Sequence, residues 1–237
     1  KTIIVFYTDH GGPLPRQKRL LYDSGIKVPM IIRYPNKARA GEIDERLISF
    51  VDFAPTLLSM VKIEPPDYYQ GFPFEGTFKP KDNRKYIHAA ADRFDEHYDQ
   101  IRAVRDERYK YLRNYNPDKP YYLPLEYRER MNTMQELLHL EKLGKLDKNQ
   151  LQWFRKSKPE EELFDTFSDP HELRNLAKEP NFEKKLIKYL YSKKIHVLHK
   201  VKEKTKINLF KRCNCLLITS LFEGLSFVKF KTKKLKN

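Results

Sequence analysis

Cysteine is almost missing from this chain of 237 residues: Cys213 and Cys215 are the only two, both near the C-terminal end. A single Cys-x-Cys pair lacks the second pair of a four-ligand zinc site, and two cysteines build no disulfide framework, so both readings are excluded. Long apolar runs are missing too. The most apolar stretch, Cys213 to Phe230, is interrupted by Asn214, Glu223 and Lys229, which fails the requirement of about 20 uninterrupted apolar residues for a membrane span. No charged, cleavable leader precedes the first strand-like run, so no secretory signal is expected in this chain. No internal repeat is visible, which argues against repeat architectures.

Charge of one sign is abundant. The formal net charge is +15, which invites a nucleic-acid or membrane reading, but its distribution points elsewhere. Residues 183 to 237 hold 16 Lys and Arg against Glu183, Glu203 and Glu223, while residues 1 to 182 hold 31 bases against 29 acids. The basicity belongs to the tail, where like-charge blocks are usually solvated or disordered, although a Lys-rich tail also suits polyanions through a sequence-independent attraction.

The chain is long enough to bury a sizeable core in one domain or one and a half. The run Thr2-Ile-Ile-Val-Phe-Tyr-Thr8 is β-branched and aromatic and ends at Asp9-His10-Gly11-Gly12. It reads as a strand buried on both faces, of the kind found in parallel sheets, with Ile3, Val5 and Ile31 inside. Its carboxyl end carries an Asp and a His, both metal ligands, at the place where α/β enzymes keep their chemistry; a turn Asp beside a surface His is the ordinary alternative. A second strand is expected over 28 to 33 and a helix from about Asp52 to Val61, with Asp52 as N-cap and Pro55 in the first turn. Residues 64 to 83, rich in Pro, Gly and aromatics, read as a surface connection. Short strands follow at about 85 to 90, 100 to 105 and 108 to 113. The last two form a hairpin with Ile101 and Ala103 alternating against Arg102, Val104 and Arg105, and one face in solvent. A loop is expected over 114 to 127 and helices at about 128 to 143, 147 to 156 and 180 to 198.

Four ordered motifs carry a resemblance. Asp9-His10-Gly11 is followed by a basic loop containing Lys18, and Gly25-Ile-Lys-Val-Pro29 leads into Met30 to Pro35. Ser49-Phe-Val-Asp-Phe-Ala-Pro-Thr-Leu-Leu58 and Glu161-Glu-Leu-Phe-Asp-Thr-Phe-Ser-Asp-Pro-His-Glu-Leu-Arg-Asn-Leu-Ala177 come later. Together they resemble the second half of a sulfatase of the alkaline-phosphatase-like superfamily, over roughly residues 1 to 195. The stretch Ala89 to Arg113 and the short spacing from Asp9 to Lys18 are most similar to the heparan N-sulfatase (sulfamidase) and arylsulfatase-A-like branch.

The resemblance implies an α/β fold: the C-terminal part of a mixed-sheet sandwich over 1–75, an antiparallel α+β subdomain over 76–200, and an unassigned basic tail over 201–237. It implies a hydrolase of sulfuric ester or sulfamate bonds that uses a formylglycine nucleophile and a divalent metal, usually Ca²⁺. Neither cysteine lies in the Cys/Ser-x-Pro-x-Arg context that yields formylglycine, so the nucleophile is expected upstream and this chain alone is expected to be inactive. Asp9 and His10 fall at the family's later metal pair, where Asn is more frequent than His. Lys18 falls at the loop base that contacts the sulfate, with Arg16 and Arg19 near enough to exchange roles.

Arg93, Asp95 and His97 are candidates for touching the sugar or aryl group, with ion pairing to Arg102 or Arg105 as the alternative. Trp153 with Tyr121 and Tyr122 reads as core or loop packing ahead of a carbohydrate platform. The segment from Asp165 to His171 reads as a structural turn and cap. The partner is a sulfated small molecule or glycan, and family members are commonly secreted, periplasmic or lysosomal. A different class remains open: a non-catalytic relative that binds sulfated glycans or other polyanions. A phosphatase or phosphonate hydrolase of the same superfamily is a third.

Overall fold

A computed structural model describes residues 2–184. The basic tail with Cys213 and Cys215, and nearly all of the helix expected at 180 to 198, lie outside the described residues. The described chain forms two compact units, one of residues 2–45 with 88–184 and one of residues 46–87. No helix among the described residues is long and apolar enough to cross a membrane.

In the first unit, β1 (Ile4–Tyr7) pairs antiparallel with β2 (Met30–Arg33), Val5 opposite Ile32. The short helix α1 (Asp23–Ile26) lies between them in the chain. This corrects the expectation of a buried strand in a parallel sheet. The two strands form a two-stranded ribbon by themselves, leaving Ile3 38% and Ile31 63% exposed and Val5 half-buried. An apolar run is buried only when something packs on both of its faces, and neither face of a two-stranded ribbon acquires that from pairing alone.

The larger sheet is four-stranded in the order β3 (Ile87–Phe94), β4 (His97–Arg105), β5 (Tyr109–Asn114), β6 (Glu161–Asp165). β4–β5 and β5–β6 are antiparallel, with Ala103 opposite Leu112 and Leu112 opposite Glu162. Because side chains alternate across a strand, this register puts Ile101, Ala103 and Arg105, Lys110 and Leu112, and Glu162 and Phe164 on one face. Leu20, Leu21, Tyr22 and Trp153 pack with the apolar members of that set. The opposite face is not the solvated one expected: Val104, Tyr111 and Leu163 are buried there as well, so polar–apolar alternation in the hairpin did not translate into one wet side.

β6 is one edge of this sheet. Asn175 donates from Nδ2 to Glu161 O at 2.9 Å, and its Oδ1 accepts from Leu163 N at 3.0 Å. One amide side chain thereby takes the place of a neighbouring strand and blunts the edge. Asp165 accepts from Phe167 N and pairs with Arg108 at 2.6 Å. Residues 166–171, just past β6, form the turn expected from Asp165 to His171, and the five residues before it are a strand. After β5 the chain forms α3 (Glu126–Glu129), α4 (Asn132–Lys142) and a 3₁₀ turn over Gln150–Phe154, where a longer helix was expected.

In the second unit, α2 (Phe53–Met60) follows a 3₁₀ turn over Phe50–Asp52. Asp52 stands at the N-cap position of α2, but its carboxylate makes no capping hydrogen bond to that helix. It accepts from Ser49 N and Phe72 N, each at 2.9 Å, and pairs with Arg84. Thr56 Oγ1 accepts from Phe74 N at 3.1 Å and Ser59 Oγ accepts from Phe78 N at 2.9 Å. Residues 71–78 are therefore laced along α2, where the composition had indicated a plain surface connection. A Cβ at Gly71 would sit 1.8 Å from Val51 O, so only glycine permits that approach.

Asp52→Ala leaves two backbone N–H groups and the Arg84 guanidinium without their shared acceptor. Removing one partner of a mostly buried charge pair costs about 3–5 kcal/mol. Amide exchange of α2 and of Phe72 should accelerate accordingly, with β4–β5 unaffected.

Candidate active site

The loop after β1 is shaped by close backbone approach. Gly11 N donates to Gly25 O at 2.8 Å and Lys18 N donates to Gly12 O at 2.9 Å. A Cβ at Gly11 would meet Ser24 O at 1.8 Å, which is why glycine stands directly after the Asp-His pair. Arg16 and Arg19 adopt left-handed backbone, with φ of 61° and 77°. Such conformations persist in non-glycine residues only when their surroundings hold them, and here the side chains are held.

Arg16 donates to His171 O at 3.2 Å and Glu172 O at 2.6 Å and lies 4.1 Å over the Tyr22 ring. Arg19 pairs with Asp95 at 2.6 Å, donates to Tyr127 Oη, and lies 4.8 Å over the Tyr127 ring. Lys18, between them, has its Nζ 6.0 Å from the Tyr127 centroid and has no hydrogen-bond acceptor or ion-pair partner among the described residues.

Arg93 donates from Nε to the Asp95 carbonyl at 2.6 Å, so Lys18, Arg93 and Asp95 gather with Arg19 and Tyr127 near the turn between β3 and β4. The sequence alternative had paired this turn with Arg102 or Arg105. The structure instead pairs Arg102 with Asp92 at 2.6 Å and Arg105 with Asp23 at 3.1 Å. His97 Nε2 lies 2.7 Å from Pro124 O.

Asp9 and His10 stand together just past β1, His10 Nε2 being 3.5 Å from an Asp9 carboxylate oxygen, and the Asp9 side chain is 84% exposed. An exposed carboxylate of this kind fits a hard divalent cation. The pair offers one oxygen and one nitrogen donor, and among the described residues no three His, Cys, Asp or Glu side chains converge. Asp9 thus offers one oxygen donor of the kind a hard divalent cation takes and His10 one nitrogen donor, which by themselves are only part of a ligand set.

What holds the loop in place is a buried ionic cluster. Lys110, wholly buried, donates to Leu21 O at 3.1 Å and pairs with Glu172 at 2.8 Å and with Asp23. Asp23 N donates to Glu172 Oε2 at 2.6 Å. Beside it, Glu162 accepts from Tyr22 Oη at 2.8 Å and from Asn114 Nδ2 at 2.7 Å. Burial raises the Glu162 and Glu172 pKa values, opposed at Glu162 by its hydrogen bonds and at Glu172 by the Lys110 charge. The Tyr22 hydroxyl is raised by burial and then by Glu162.

None of Lys110, Glu162 and Glu172 stood out in the sequence. The one available signal was Lys110 sharing the Leu112 side of its strand, which is the core side.

Glu162 and Glu172 give folding a pH dependence of definite sign. Each binds its proton more tightly folded than unfolded, so stability falls as pH rises from the ordinary Glu value of 4.5 through the folded value and then levels. Asp165, lowered chiefly by its hydrogen bond from Arg108, acts in the opposite sense at lower pH, its contribution disappearing as pH falls through its folded value. Glu162→Gln should flatten the upper slope in urea unfolding measured across pH. A slope unchanged by the substitution would show that the Tyr22 and Asn114 donors outweigh burial.

Comparison with known proteins agrees with this architecture. Residues 16–152 match the family N-sulphoglucosamine sulphohydrolase, C-terminal. An ulvan-active sulfatase of Formosa agariphila is 63% identical over 186 residues, covering 78% of this chain and 31% of that protein. The N-sulphoglucosamine sulphohydrolase of Homo sapiens is 25% identical over 195 residues, covering 76% and 38%. A solved 2-O GAG sulfatase shares the fold at a TM-score of 0.54 and 23% identity, covering 79% of this chain and 34% of that one. The chain thus spans about a third of the length of these curated relatives. It shares the α/β fold of part of that solved sulfatase and belongs to the sulfatase family, as a C-terminal region of the N-sulphoglucosamine sulphohydrolase type.

Proposed function

We propose that this chain is the C-terminal part of a hydrolase of sulfuric ester or sulfamate groups on a sulfated glycan. The observation that carries the reading is the state of the three loop bases: Arg16 and Arg19 have committed guanidinium groups, while the Lys18 ammonium between them is free among the described residues. A positive charge held on a clamped loop, with no partner among the described residues, is available to the sulfuryl oxygens as negative charge grows on them.

Asp9 and His10 would hold a divalent cation, Ca²⁺ by the oxygen donor at Asp9. Such a cation and a formylglycine hydrate from outside this chain would supply charge neutralisation and the nucleophile. Arg93 and Asp95 face the same region and would orient the sugar, and Arg16 supports the loop from its far side. The 237-residue chain has no formylglycine motif, so it is expected to release no sulfate alone. Its exposed ribbon, with Phe6 56% and Ile31 63% accessible, would join the larger sheet of the intact enzyme.

Joined to an upstream region that bears Cys/Ser-x-Pro-x-Arg, the protein should release sulfate from sulfated ulvan oligosaccharides or N-sulfoglucosamine. In that protein Lys18→Ala should lower kcat by about a hundredfold to a thousandfold, more than it raises KM. Asp9→Ala should abolish metal-dependent turnover, and His10→Asn should be tolerated. If Arg16→Ala or Arg19→Ala is the damaging change while Lys18→Ala keeps full activity, the loop role belongs to that arginine. Tight binding of sulfated glycans with no turnover would favour the non-catalytic reading.

A further inference from the structure

The turn between β3 and β4 gathers more positive charge than the hydrolysis proposed above uses. Arg19, Arg93 and Arg128 lie about Asp95, whose carboxylate Arg19 takes at 2.6 Å. Glu96, the other acid of the turn, stands 3.5 Å from His97. Arg128 is 2% exposed, has no ion-pair partner among the described residues, and keeps a buried Nε without an acceptor. Burial lowers its pKa, and the Arg19 charge pushes the same way. A cation taken out of water without a counter-charge is costly, and an anion bound at the turn would offset that cost.

Two donors at this turn are open to solvent. Arg93 is exposed, its Nε donates to Asp95 O at 2.6 Å, and its two terminal nitrogens have no acceptor among the described residues. That bond restrains the guanidinium and leaves free the fork that meets a carboxylate or sulfate through two parallel hydrogen bonds. Tyr127 is 37% exposed. Its hydroxyl oxygen accepts from Arg19, which leaves the hydroxyl proton to be donated elsewhere. Lys18 Nζ lies 6.0 Å from the Tyr127 ring centroid, so a group held here is a neighbour of the sulfate assigned to Lys18.

From the open Arg93 fork, the available Tyr127 hydroxyl and the uncompensated Arg128 charge, we infer that this turn binds a second anionic group of the substrate, a sulfate or a carboxylate beside the sulfate that is hydrolysed. The substrate is then a doubly anionic sugar, and Arg93 and Tyr127 select it. The inference rests on the hydrolase reading for the place of the first sulfate, but it concerns other side chains and is read by binding alone.

The whole 237-residue chain is titrated by calorimetry with three probes, each to about 50 mM, well above a millimolar Kd. Glucose 6-sulfate carries one anion; glucosamine 2-N,6-O-disulfate adds a second sulfate, and glucuronic acid 2-sulfate adds a carboxylate. At least one of the two doubly anionic probes should bind about tenfold more tightly than glucose 6-sulfate, the effect of a charge-assisted hydrogen bond, and which one does so names the second group. Arg93→Gln removes the fork and Tyr127→Phe the hydroxyl; each should reduce that preference, and the double variant should erase it with circular dichroism unchanged. Lys18→Gln should weaken all three probes and keep their order.

Equal affinity for the singly and doubly anionic probes, or no binding of any of them, would overturn the inference. So would a preference that survives in the double variant, since it would then come from sequence-independent attraction by the basic tail. A preference erased by the double variant, with no effect of Lys18→Gln on any probe, would uphold the second-anion site and contradict the role proposed for Lys18.

Discussion

The buried ammonium of Lys110 is the constraint on which the first unit depends. An ammonium taken from water into a protein interior costs several kcal/mol unless its protons are met, and here they are met by Leu21 O, Asp23 and Glu172. Those three groups come from the loop after β1, from α1, and from the segment after β6. One side chain on β5 therefore fastens two chain segments, far apart in sequence, to the sheet. Replacing such a cluster with apolar residues is often neutral for stability, whereas removing one member leaves the others buried and unpaired. Its contribution is thus to fix a unique loop conformation, and the left-handed Arg16 and Arg19 are the visible result.

That fixation produces the asymmetry among the loop bases. Arg16 is drawn back against Tyr22 and the carbonyls of residues 171 and 172, and Arg19 is turned toward Asp95 and Tyr127. A planar guanidinium suits such multipoint contacts, while a lysine is a compact point charge on a flexible stem. Lys18 is the one of the three with no ion-pair partner among the described residues, and the loop holds it there through its backbone bond to Gly12 O.

Much of this was legible in the sequence because the relevant signals are local. The hairpin of β4 and β5 follows from alternation, the helix after Asp52 from the helical spacing of its apolar residues, and the end of β1 from the Gly pair after Asp9. What was not legible depends on partners far along the chain. The run from Thr2 to Thr8 has a buried strand's composition but stands in an exposed ribbon, since burial is a property of neighbours. Asp52 has an N-cap's position but spends its carboxylate on Phe72 and Arg84, 20 and 32 residues away. Lys110, Glu162 and Glu172 look like surface charges singly and are a core network only together. Trp153 was read as packing, and it does pack against Tyr122 and Arg128.

Amide hydrogen exchange in Lys110→Met tests the account most directly, because methionine keeps most of the bulk of the lysine stem and removes its charge. The account predicts that protection is lost first at the amides of Lys18, Leu20 and Gly25, while Ala103 and Leu112 in the sheet exchange nearly as in the parent chain. Uniform acceleration across loop and sheet, or a loop as protected as before, would contradict the claim that this buried charge positions the basic loop.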